Sequence, residues 1–352
     1  MLSEFGNSIK VSVFGQSHSQ AIGVLIDGLP AGEAVDLEKL QTFLDRRKPN
    51  NSVASTKRRE PDTVKVLSGL SGGVTCGAPL CAIIENQDPH SQDYNNIIDI
   101  PRPGHADYTA HVKYQGHNDV SGGGHFSGRL TAPLCIAGGI ALQILERRGI
   151  AVGAHIVQIG SAQADRYEPV KLAKEGFGGA LLTPEMEQEI AAAAGDLDSV
   201  GGIIECAVLG LPVGLGGPLT EGMESQIAQA VFGISAVKGI EFGAGFQVAS
   251  MRGSQNNDPF VMEGDRVVTE TNNAGGILGG ITTGMPLIFR LAIKPTPSIG
   301  KPQRSVSLSG KCNTELTIKG RHDSCVVPRA IPVAEAVAAM TVLDILYRER
   351  KL

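Results

Sequence analysis

The order of apolar and polar residues predicts strands and helices that alternate along the chain. Apolar and polar residues alternate at 8–15 and 21–28, which is the period of a half-buried strand. Five further strands are predicted, at 62–68, 80–86, 151–160, 202–212 and 286–293. Helical spacing predicts five helices: 37–46 with Asp36 as its cap, 129–148, one beginning at Thr183-Pro184-Glu185, 221–231 and 331–349.

A Gly-Leu-Pro turn occurs twice, at 28–30 and at 210–212, which is a separation of 182 residues. Each copy follows a predicted strand and precedes an amphipathic helix. The recurrence indicates two similar halves, roughly 1–150 and 151–352, and chance recurrence of a short turn is the alternative. Since no flexible linker separates the halves, we expect one domain over 1–352 of the α+β (mixed α/β) class, with Gly-rich loops forming the site.

Composition narrows the classes of function. The 352 residues carry a net charge of −5, which argues against general nucleic-acid binding, and the chain has no tryptophan for a base-stacking surface. The 45 glycines lie inside and between apolar runs, where they present backbone N–H groups to a ligand.

Cellular location is predicted from the cysteines and the apolar runs. The six cysteines form no Cys-x-x-Cys pair, which is typical of reduced thiols in a cytosolic protein. The N-terminus shows no signal-peptide pattern. The longest apolar run, 134–145, is too short and too Gly-rich to span a bilayer. We therefore expect a soluble, cytoplasmic protein with no membrane contact.

The stretch 102–131 concentrates four of the eight histidines beside a glycine run at 122–124. It is predicted to form one wall of an active site for an anionic substrate. A glycine run that leads into a helix can present N–H groups to a phosphate, although this one is neither a P-loop nor a dinucleotide-binding turn. The same stretch also allows a metal site, but its spacing matches no known metal-binding pattern; its members would be His105, His111, His117, His125, Asp107 and Asp119.

Two further features of the sequence carry charge or acid–base groups outside this stretch. His18 lies in a short turn between two predicted strands, where a side chain is displayed and not packed. Arg46 and Arg47 end the first helix, where they either complement the helix dipole or form an anion site. For each feature a plain surface or capping role is the alternative.

Taken together, the motifs resemble the chorismate synthase family in order and over nearly the whole chain. The motifs that carry the resemblance are 14–18 (FGQSH), 46–47 (RR), 58–62 (RREPD), 91–94 (SQDY), 102–107 (RPGHAD), 236–239 (AVKG), 252–256 (RGSQN), 274–280 (AGGILGG), 294–296 (KPT) and 320–323 (GRHD).

The resemblance implies a reaction and an architecture. The family converts 5-enolpyruvylshikimate 3-phosphate to chorismate by 1,4-anti elimination of phosphate, the last common step of aromatic amino acid biosynthesis. The enzymes of the family are lyases that require reduced FMN although there is no net redox change. The family fold is a β-α-β sandwich with an internal pseudo-twofold repeat, and the expected assembly is a homotetramer.

The resemblance also implies roles for individual residues. His18 corresponds to the general acid that protonates the departing phosphate, and His105 to the histidine near flavin N1. Asp323 corresponds to the aspartate that helps to remove the C6 proton. Arg47 and Arg129 are the foremost candidates for binding the substrate anions or NADP, ahead of Arg58 and Arg329.

The residues expected to contact FMN are His125, Phe126, Ser127, Ser235, Ala236, Gly279, Lys294, Pro295, Thr296, Pro297, Ser298 and Arg321. Among these, Lys294 and Arg321 would supply counter-charge to the phosphate or to the reduced ring. No metal is expected.

The chain departs from the common family pattern at three positions: His125 replaces an arginine, Ser19 replaces a glycine, and Val53 stands near a usual arginine. The sequence leaves open whether the enzyme reduces its own flavin with NADPH or needs an external reductase. A metal-dependent phosphohydrolase and a non-catalytic flavin-binding module are the alternative functions.

Overall fold

A computed structural model describes residues 3–48, 61–86, 98–169, 171–172, 182–318 and 323–350. Most of the secondary structure within these ranges belongs to two five-stranded antiparallel sheets and to the helices packed on them. The mixed helix and strand content that the sequence predicted is confirmed.

The first sheet has the strand order β1-β2-β3-β7-β4. Its strands are β1 (Glu4–Phe5), β2 (Lys10–Gly15), β3 (Ala21–Asp27), β4 (Val64–Ser68) and β7 (Leu80–Glu85). Apolar and polar residues alternate in these strands because only one face of the sheet is buried. In β3, Ile22, Val24 and Ile26 are at most 2% exposed, whereas Leu25 on the other face is 38% exposed.

The second sheet has the order β11-β16-β10-β8-β9. Its strands are β8 (Ala151–Ile159), β9 (Ala162–Gln163), β10 (Gly202–Leu209), β11 (Val237–Phe242) and β16 (Leu287–Ile293). Four strands of this sheet have the spatial order β8-β10-β16-β11, and four strands of the first have the order β2-β3-β7-β4. Numbered by their position along the chain, both sets have the order first, second, fourth, third. In each sheet a Gly-Leu-Pro turn and a helix follow the second of these strands.

The helices are α1 (Leu37–Asp45), α2 (Asp107–Lys113), α3 (Thr131–Glu146), α4 (Pro184–Gly195), α5 (Met223–Val231), α6 (Gly253–Asn256) and α7 (Val327–Arg348). Helices α3 and α7 pack against each other, α3 against β3 and β7, and α7 against β8 and β10. Their close approach requires a glycine, because a Cβ on Gly138 would lie 2.2 Å from the Cβ of Ala336. One hydrophobic cluster therefore joins both sheets through this helix pair.

Four two-stranded hairpins complete the described strands. They are β5 (Leu70–Ser71) with β6 (Val74–Thr75), β12 (Phe260–Glu263) with β13 (Arg266–Thr269), β14 (Ile277–Leu278) with β15 (Ile281–Thr282), and β17 (Gln303–Ser307) with β18 (Cys312–Leu316).

Several predicted boundaries shift for local reasons. Asp36 caps α1 as predicted, its carboxylate accepting from the backbone N–H groups of Glu38 and Lys39. The final helix begins at Val327 and not at 331, because proline is tolerated near a helix start and Pro328 lies there. Helix α3 begins at Thr131, so Arg129 lies in a separate 3₁₀ turn before it.

The glycine run at 122–124 precedes the helix but does not itself have helical geometry, so a turn describes it better. All three glycines have positive φ angles of 60°, 86° and 54°. Left-handed conformations of this kind interrupt a helix, and only glycine adopts them in succession without steric cost.

Two helical segments, 128–146 and 327–348, are long and apolar enough to cross a membrane by length and composition. The first has 19 residues, so shortness does not exclude it, contrary to the sequence argument from 134–145. Burial gives the better explanation, since 83% and 89% of their most apolar windows are buried inside the fold. Core helices of soluble proteins have this property.

Candidate functional site

The predicted site residues lie mainly in loops at the ends of the strands, on one side of each sheet. In the first sheet the β2–β3 turn, the start of β4 and the end of β7 share an edge, because Ala21 pairs with Glu85 and Val64 with Ile84. In the second sheet Gly202 and Val237 both pair with Ile293, which brings the end of β16 to the corresponding edge. Antiparallel register thus gathers loops that are far apart in sequence.

The turn that carries His18 is held by its neighbours on both sides. The hydroxyl of Ser19 accepts from the backbone N–H of Gln16 at 2.9 Å and donates to the carbonyl of Ala21 at 2.7 Å. The backbone N–H of Ser17 donates to the carbonyl of Gly124 at 3.1 Å. Serine at position 19, where the family pattern has glycine, therefore fixes the turn by two hydrogen bonds.

Both predicted catalytic histidines contact the glycine run. A Cβ on Gly122 would lie 2.2 Å from Cε1 of His18, and a Cβ on Gly123 would lie 3.1 Å from Cε1 and Nε2 of His105. Any side chain at Gly122 would therefore collide with the imidazole ring. Glycine at these two positions therefore allows the two histidine rings to approach the backbone closely.

His105 belongs to a buried charged group with Arg102 and Asp107. Nδ1 of His105 lies 2.5 Å from Oδ1 of Asp107, and Arg102 donates to the same carboxylate from Nε at 2.7 Å and from Nη2 at 2.8 Å. Burial alone would raise the pKa of Asp107, but hydrogen bonds from Arg102 and His105 outweigh it and hold that pKa well below its usual range. The carboxylate is therefore ionised.

The loop 294–298 packs against this group. Nη1 of Arg102 donates to the hydroxyl of Ser298 at 3.2 Å, and Nζ of Lys294 donates to the carbonyl of Gly104 at 2.7 Å. Burial, and then the nearby charge of Lys238, lower the pKa of Lys294 below its usual value. Two segments that are almost 200 residues apart thus form one wall.

The hydroxyl of Thr296 in this loop is buried and has no hydrogen-bond partner among the described residues. Buried hydroxyl groups are normally paired, so an unpaired one indicates a position for a ligand. The backbone carbonyl of the same residue accepts from the hydroxyl of Ser199 at 2.7 Å, which fixes the loop.

A second buried group centres on Asp62, which is 2% exposed. Its Oδ1 accepts from Nη1 of Arg129 at 2.5 Å, and its Oδ2 accepts from Nη1 of Arg47 at 3.3 Å. Arg47 also donates to the hydroxyl of Thr131 at 2.8 Å and to the carbonyl of Gly128 at 2.9 Å. Two guanidinium groups therefore share the carboxylate of Asp62.

Burial is the main cause that lowers the pKa of Arg47 to about 10, and the charge of Arg329 lowers it further. Arg329 links this group to Asp323: it donates from Nε to the carbonyl of Arg47 at 3.0 Å and from Nη1 to the carboxylate of Asp323 at 2.5 Å. Asp323 is thereby held close to the predicted anion-binding arginines.

The 125–127 segment makes contacts with protein groups. Both ring nitrogens of His125 are engaged, Nδ1 with the carbonyl of Gly15 at 2.8 Å and Nε2 with the hydroxyl of Ser3 at 2.7 Å. Phe126 is 37% exposed, and Ser127 caps the turn that carries Arg129. His125 therefore ties the glycine run to the N-terminal strands.

The remaining predicted contacts are less closely grouped. The carbonyl of Ala236, next to Ser235, accepts from the backbone N–H of Lys294 at 2.9 Å, so this loop joins the 294–298 wall. Gly279 lies in the β14–β15 hairpin, which is bridged to Gly216. Three predicted positions, Val53, Arg58 and Arg321, lie outside the described residues.

The metal alternative finds no support in the described residues. His111 and His117 are exposed, and Nδ1 of His105 is engaged by Asp107. Within the described ranges no three His, Cys, Asp or Glu side chains are grouped so that they could hold a metal ion.

Sequence reasoning gave no role to three polar residues that organise the site: Asp62, Arg102 and Asn86. Asn86 accepts from Nε of Arg129 at 3.1 Å. Asp62 and Arg102 were noticed only as members of motifs. A carboxylate or arginine that directly precedes an apolar strand or helix start is the local signal, but it does not reveal which partner lies across the fold.

The structure is therefore that of a mixed α/β protein whose loops, at one end of each sheet, carry histidines, buried arginines and a buried hydroxyl without a partner among the described residues. Comparison with known proteins identifies the family. The family model described as chorismate synthase matches residues 9–347. The chain belongs to the chorismate synthase family.

Individual relatives support this assignment. The chain is 50% identical over 349 residues to the chorismate synthase of Thermococcus kodakarensis, with 98% of each chain covered. It is 43% identical over 354 residues to that of Dehalococcoides mccartyi (strain BAV1), covering 99% of this chain and 97% of the relative. A solved structure titled "Crystal Structure of Chorismate Synthase" has a TM-score of 0.74 and 26% identity, covering 98% of this chain and 93% of that one.

Proposed function

We propose that the protein is a lyase that converts 5-enolpyruvylshikimate 3-phosphate to chorismate by 1,4-anti elimination of phosphate. The observation that carries the proposal is the contact of His18 and His105 with one glycine run, in a chain that belongs to the chorismate synthase family. The reaction breaks the C–O bond to phosphate and removes a proton from C6. It needs an acid at the leaving group and a base at the other end of the allylic system.

The described residues fit a bound reduced FMN. The 294–298 loop offers the cation of Lys294, the buried hydroxyl of Thr296, which has no partner in the described part of the chain, and the hydroxyl of Ser298. These groups, with Ser235 and Ala236 alongside, would hold the cofactor. When bound, reduced FMN supplies electron density that eases cleavage of the C–O bond while undergoing no net oxidation.

The side chains divide the remaining work. His18 protonates the departing phosphate, and Arg129, supported by Arg47, neutralises the anionic groups of the substrate. Asp323 accepts the C6 proton, and its contact with Arg329 holds the carboxylate in place. His105 is placed at the cofactor by Asp107 and by the neighbouring 294–298 loop.

The finer architecture is part of the same proposal. The matching order of β2-β3-β7-β4 and β8-β10-β16-β11 supports a β-α-β sandwich with an internal pseudo-twofold repeat, its halves roughly 1–150 and 151–352. We also propose a cytoplasmic homotetramer that uses NADPH, directly or through an external reductase, to keep FMN reduced.

An anaerobic assay tests the function. The protein is incubated with 5-enolpyruvylshikimate 3-phosphate and either chemically reduced FMN, oxidised FMN with NADPH, or no flavin, and both phosphate and chorismate are measured. We expect equal amounts of the two products with reduced FMN and none without flavin. Full turnover without flavin would reject the proposal, and phosphate release without chorismate would indicate a phosphohydrolase.

Histidine variants assign the activity to this site. We expect His18→Ala and His105→Ala each to lower kcat by about 10- to 10⁴-fold, the range typical of acid–base groups. His111→Ala is the matched control, because His111 is exposed on α2 and we expect its kcat to equal that of the wild type. Equal losses in all three variants would show that the effect is not specific to the site.

A further inference from the structure

The hydrogen bonds around His105 indicate which of its two ring nitrogens carries the proton. Three atoms form a close triangle: Nδ1 of His105, Oδ1 of Asp107 and Nη2 of Arg102. The Nδ1–Oδ1 distance is 2.5 Å, the Nη2–Oδ1 distance is 2.8 Å, and the Nη2–Nδ1 distance is 3.0 Å. The chemistry of the neighbouring groups decides which ring nitrogen bears the proton.

The Asp107 side of the triangle requires a proton on Nδ1. Asp107 is ionised and can only accept hydrogen bonds. A ring nitrogen lone pair 2.5 Å from a carboxylate oxygen would be strongly repelled, whereas an N–H at that position donates a charge-assisted hydrogen bond. The side chain of Asp107 is 5% exposed, so water does not weaken this preference.

Arg102 holds the carboxylate in place and does not choose between the two ring nitrogens. Its Nη2 lies 3.0 Å from Nδ1 and 3.3 Å from Nε2 of His105, so its positive charge disfavours a proton on either nitrogen to a similar degree. Asp107 therefore decides the tautomer, since its carboxylate accepts at Nδ1, and a neutral ring protonated at Nδ1 leaves a lone pair on Nε2.

We propose that Asp107 and Arg102 are positioning residues that hold the neutral His105 ring as its Nδ1–H tautomer and present an unprotonated Nε2 to the glycine run. For its catalytic meaning this inference rests on the proposed function. It implies that His105 first accepts a hydrogen bond or a proton at Nε2, and gives up a proton only afterwards. The group that it serves must therefore approach Nε2 with a donor.

The positioning group is also connected to the cofactor loop. Arg102 donates to Ser298 from Nη1 while it holds Asp107 with Nε and Nη2, so one guanidinium sets both the carboxylate and the 294–298 wall. A Cβ on Gly123 would lie 3.1 Å from Nε2 of His105, so the glycine leaves that nitrogen accessible.

Nitrogen NMR of protein labelled with ¹⁵N-histidine tests the inference directly. The His105 signals are assigned by their loss in His105→Gln, and the shifts of its two nitrogens report which one carries the proton. We expect Nδ1–H in the wild-type neutral ring. A neutral ring protonated at Nε2 in the wild type would overturn the inference, whether or not the protein makes chorismate.

The variant Asp107→Asn is designed to change the tautomer while keeping the size of the side chain. Its amide oxygen keeps the two hydrogen bonds that Oδ2 accepts from the backbone N–H and Nε of Arg102, so its NH₂ group replaces Oδ1, faces Nδ1 of His105 and gives up the hydrogen bond from Nη2 of Arg102. We expect the neutral ring to change to Nε2–H. Asp99→Asn is the matched control, since the Asp99 carboxylate accepts from Ser307 and Ser309 outside this group, and we expect no change of tautomer there.

Kinetics separates positioning from binding. We expect Asp107→Asn to lower kcat by about 10²- to 10⁴-fold, the loss expected for a wrongly protonated imidazole, with KM for the phosphoester almost unchanged. An unchanged kcat with a changed tautomer would contradict the positioning role. Inactive wild-type protein with the Nδ1–H signal present would reject the proposed function and leave the tautomer assignment standing.

Discussion

Two buried charge clusters in this molecule have opposite composition. In the first cluster, one carboxylate, Asp62, lies between Arg47 and Arg129. In the second cluster, one guanidinium, Arg290, lies between two carboxylates, with Glu205 at 2.9 Å and Glu241 at 2.6 Å. Counted as formal charges, the first cluster has a surplus of one positive charge and the second a surplus of one negative charge.

The two clusters also differ in what holds them. In the second cluster Glu205, Arg290 and Glu241 are direct cross-strand neighbours on β10, β16 and β11, and His155 on β8 pairs with Glu205. Sheet register alone places these side chains together. The first cluster lies in loops at the edge of the other sheet, after α1, before β4 and before α3.

This difference in position and contacts indicates which cluster is suited to bind a ligand. The second cluster is closed by the protein itself, since Arg290 also donates to the carbonyl of Gly243 and Glu205 accepts from the backbone N–H of Tyr167. The first cluster places two arginines among the loops that carry the predicted site residues, where we propose that the anionic substrate binds. The second cluster is interpreted as structural.

The largest effect is expected for Asp62→Asn, which neutralises the carboxylate that Arg47 and Arg129 share. Two buried arginines then lose this counter-charge, and we expect the free energy of unfolding to fall by about 3–5 kcal/mol. Inorganic phosphate should restore part of that loss by binding beside the arginines. Thermal unfolding with and without phosphate measures both effects.

Asp196→Asn is the control for this variant, because the Asp196 side chain is 70% exposed and pairs with Lys301 at the surface. We expect its stability to change by about 0–1 kcal/mol, with no specific gain from phosphate. A phosphate response of Asp62→Asn no larger than that of the control would contradict an anion site at Arg47 and Arg129.

The next largest effect is expected for Arg290→Met, which removes the guanidinium that pairs with both Glu205 and Glu241. We expect a loss of about 3 kcal/mol, at the lower end for a broken buried pair because the Glu241 side chain is 24% exposed. Phosphate should give no relief, and kcat of the folded enzyme should stay at the wild-type value. Stabilisation by phosphate equal to that of Asp62→Asn would remove the distinction between the clusters.

The strands that carry the second cluster were predicted better than the loops that carry the first, because strand patterns are local in sequence. Strands β10 and β16 were predicted from local apolar patterns, and their register then follows from burial of one face. Strand β11, which carries Glu241, was not predicted. The helices from Asp36 and Thr183 were predicted equally well, because capping is a local interaction.

The site depended on contacts that no local pattern encodes. Arg47 and Arg129 were named from motifs, but the carboxylate that joins them comes from residue 62, before another strand. Asp107 was first considered as a metal ligand, because its sequence position beside His105 does not reveal that Arg102 holds its other oxygen. The conformation of the glycine run was not predicted, since the sequence does not reveal that all three of its φ angles are positive.

The smallest effect is expected for Glu205→Gln, which keeps the shape of the second cluster and removes one charge. An amide can still accept from Arg290 or from the backbone N–H of Tyr167, so we expect a loss of about 1–3 kcal/mol at pH 7. Burial tends to raise the pKa of Glu205, but hydrogen bonds from His155, Tyr167 and Arg290 outweigh it and lower that pKa below its usual value.

The sign of the pH dependence follows from this lowered pKa. The ionised Glu205 contributes its full stability above the unfolded-state pKa of about 4.3, and the contribution is lost as the pH falls through the lower pKa of the folded state. Urea unfolding of both proteins should therefore show the full difference at pH 7 and a smaller one below about pH 4. A difference that stays constant over this range would mean that hydrogen-bond geometry, and not the charge of Glu205, stabilises the second cluster.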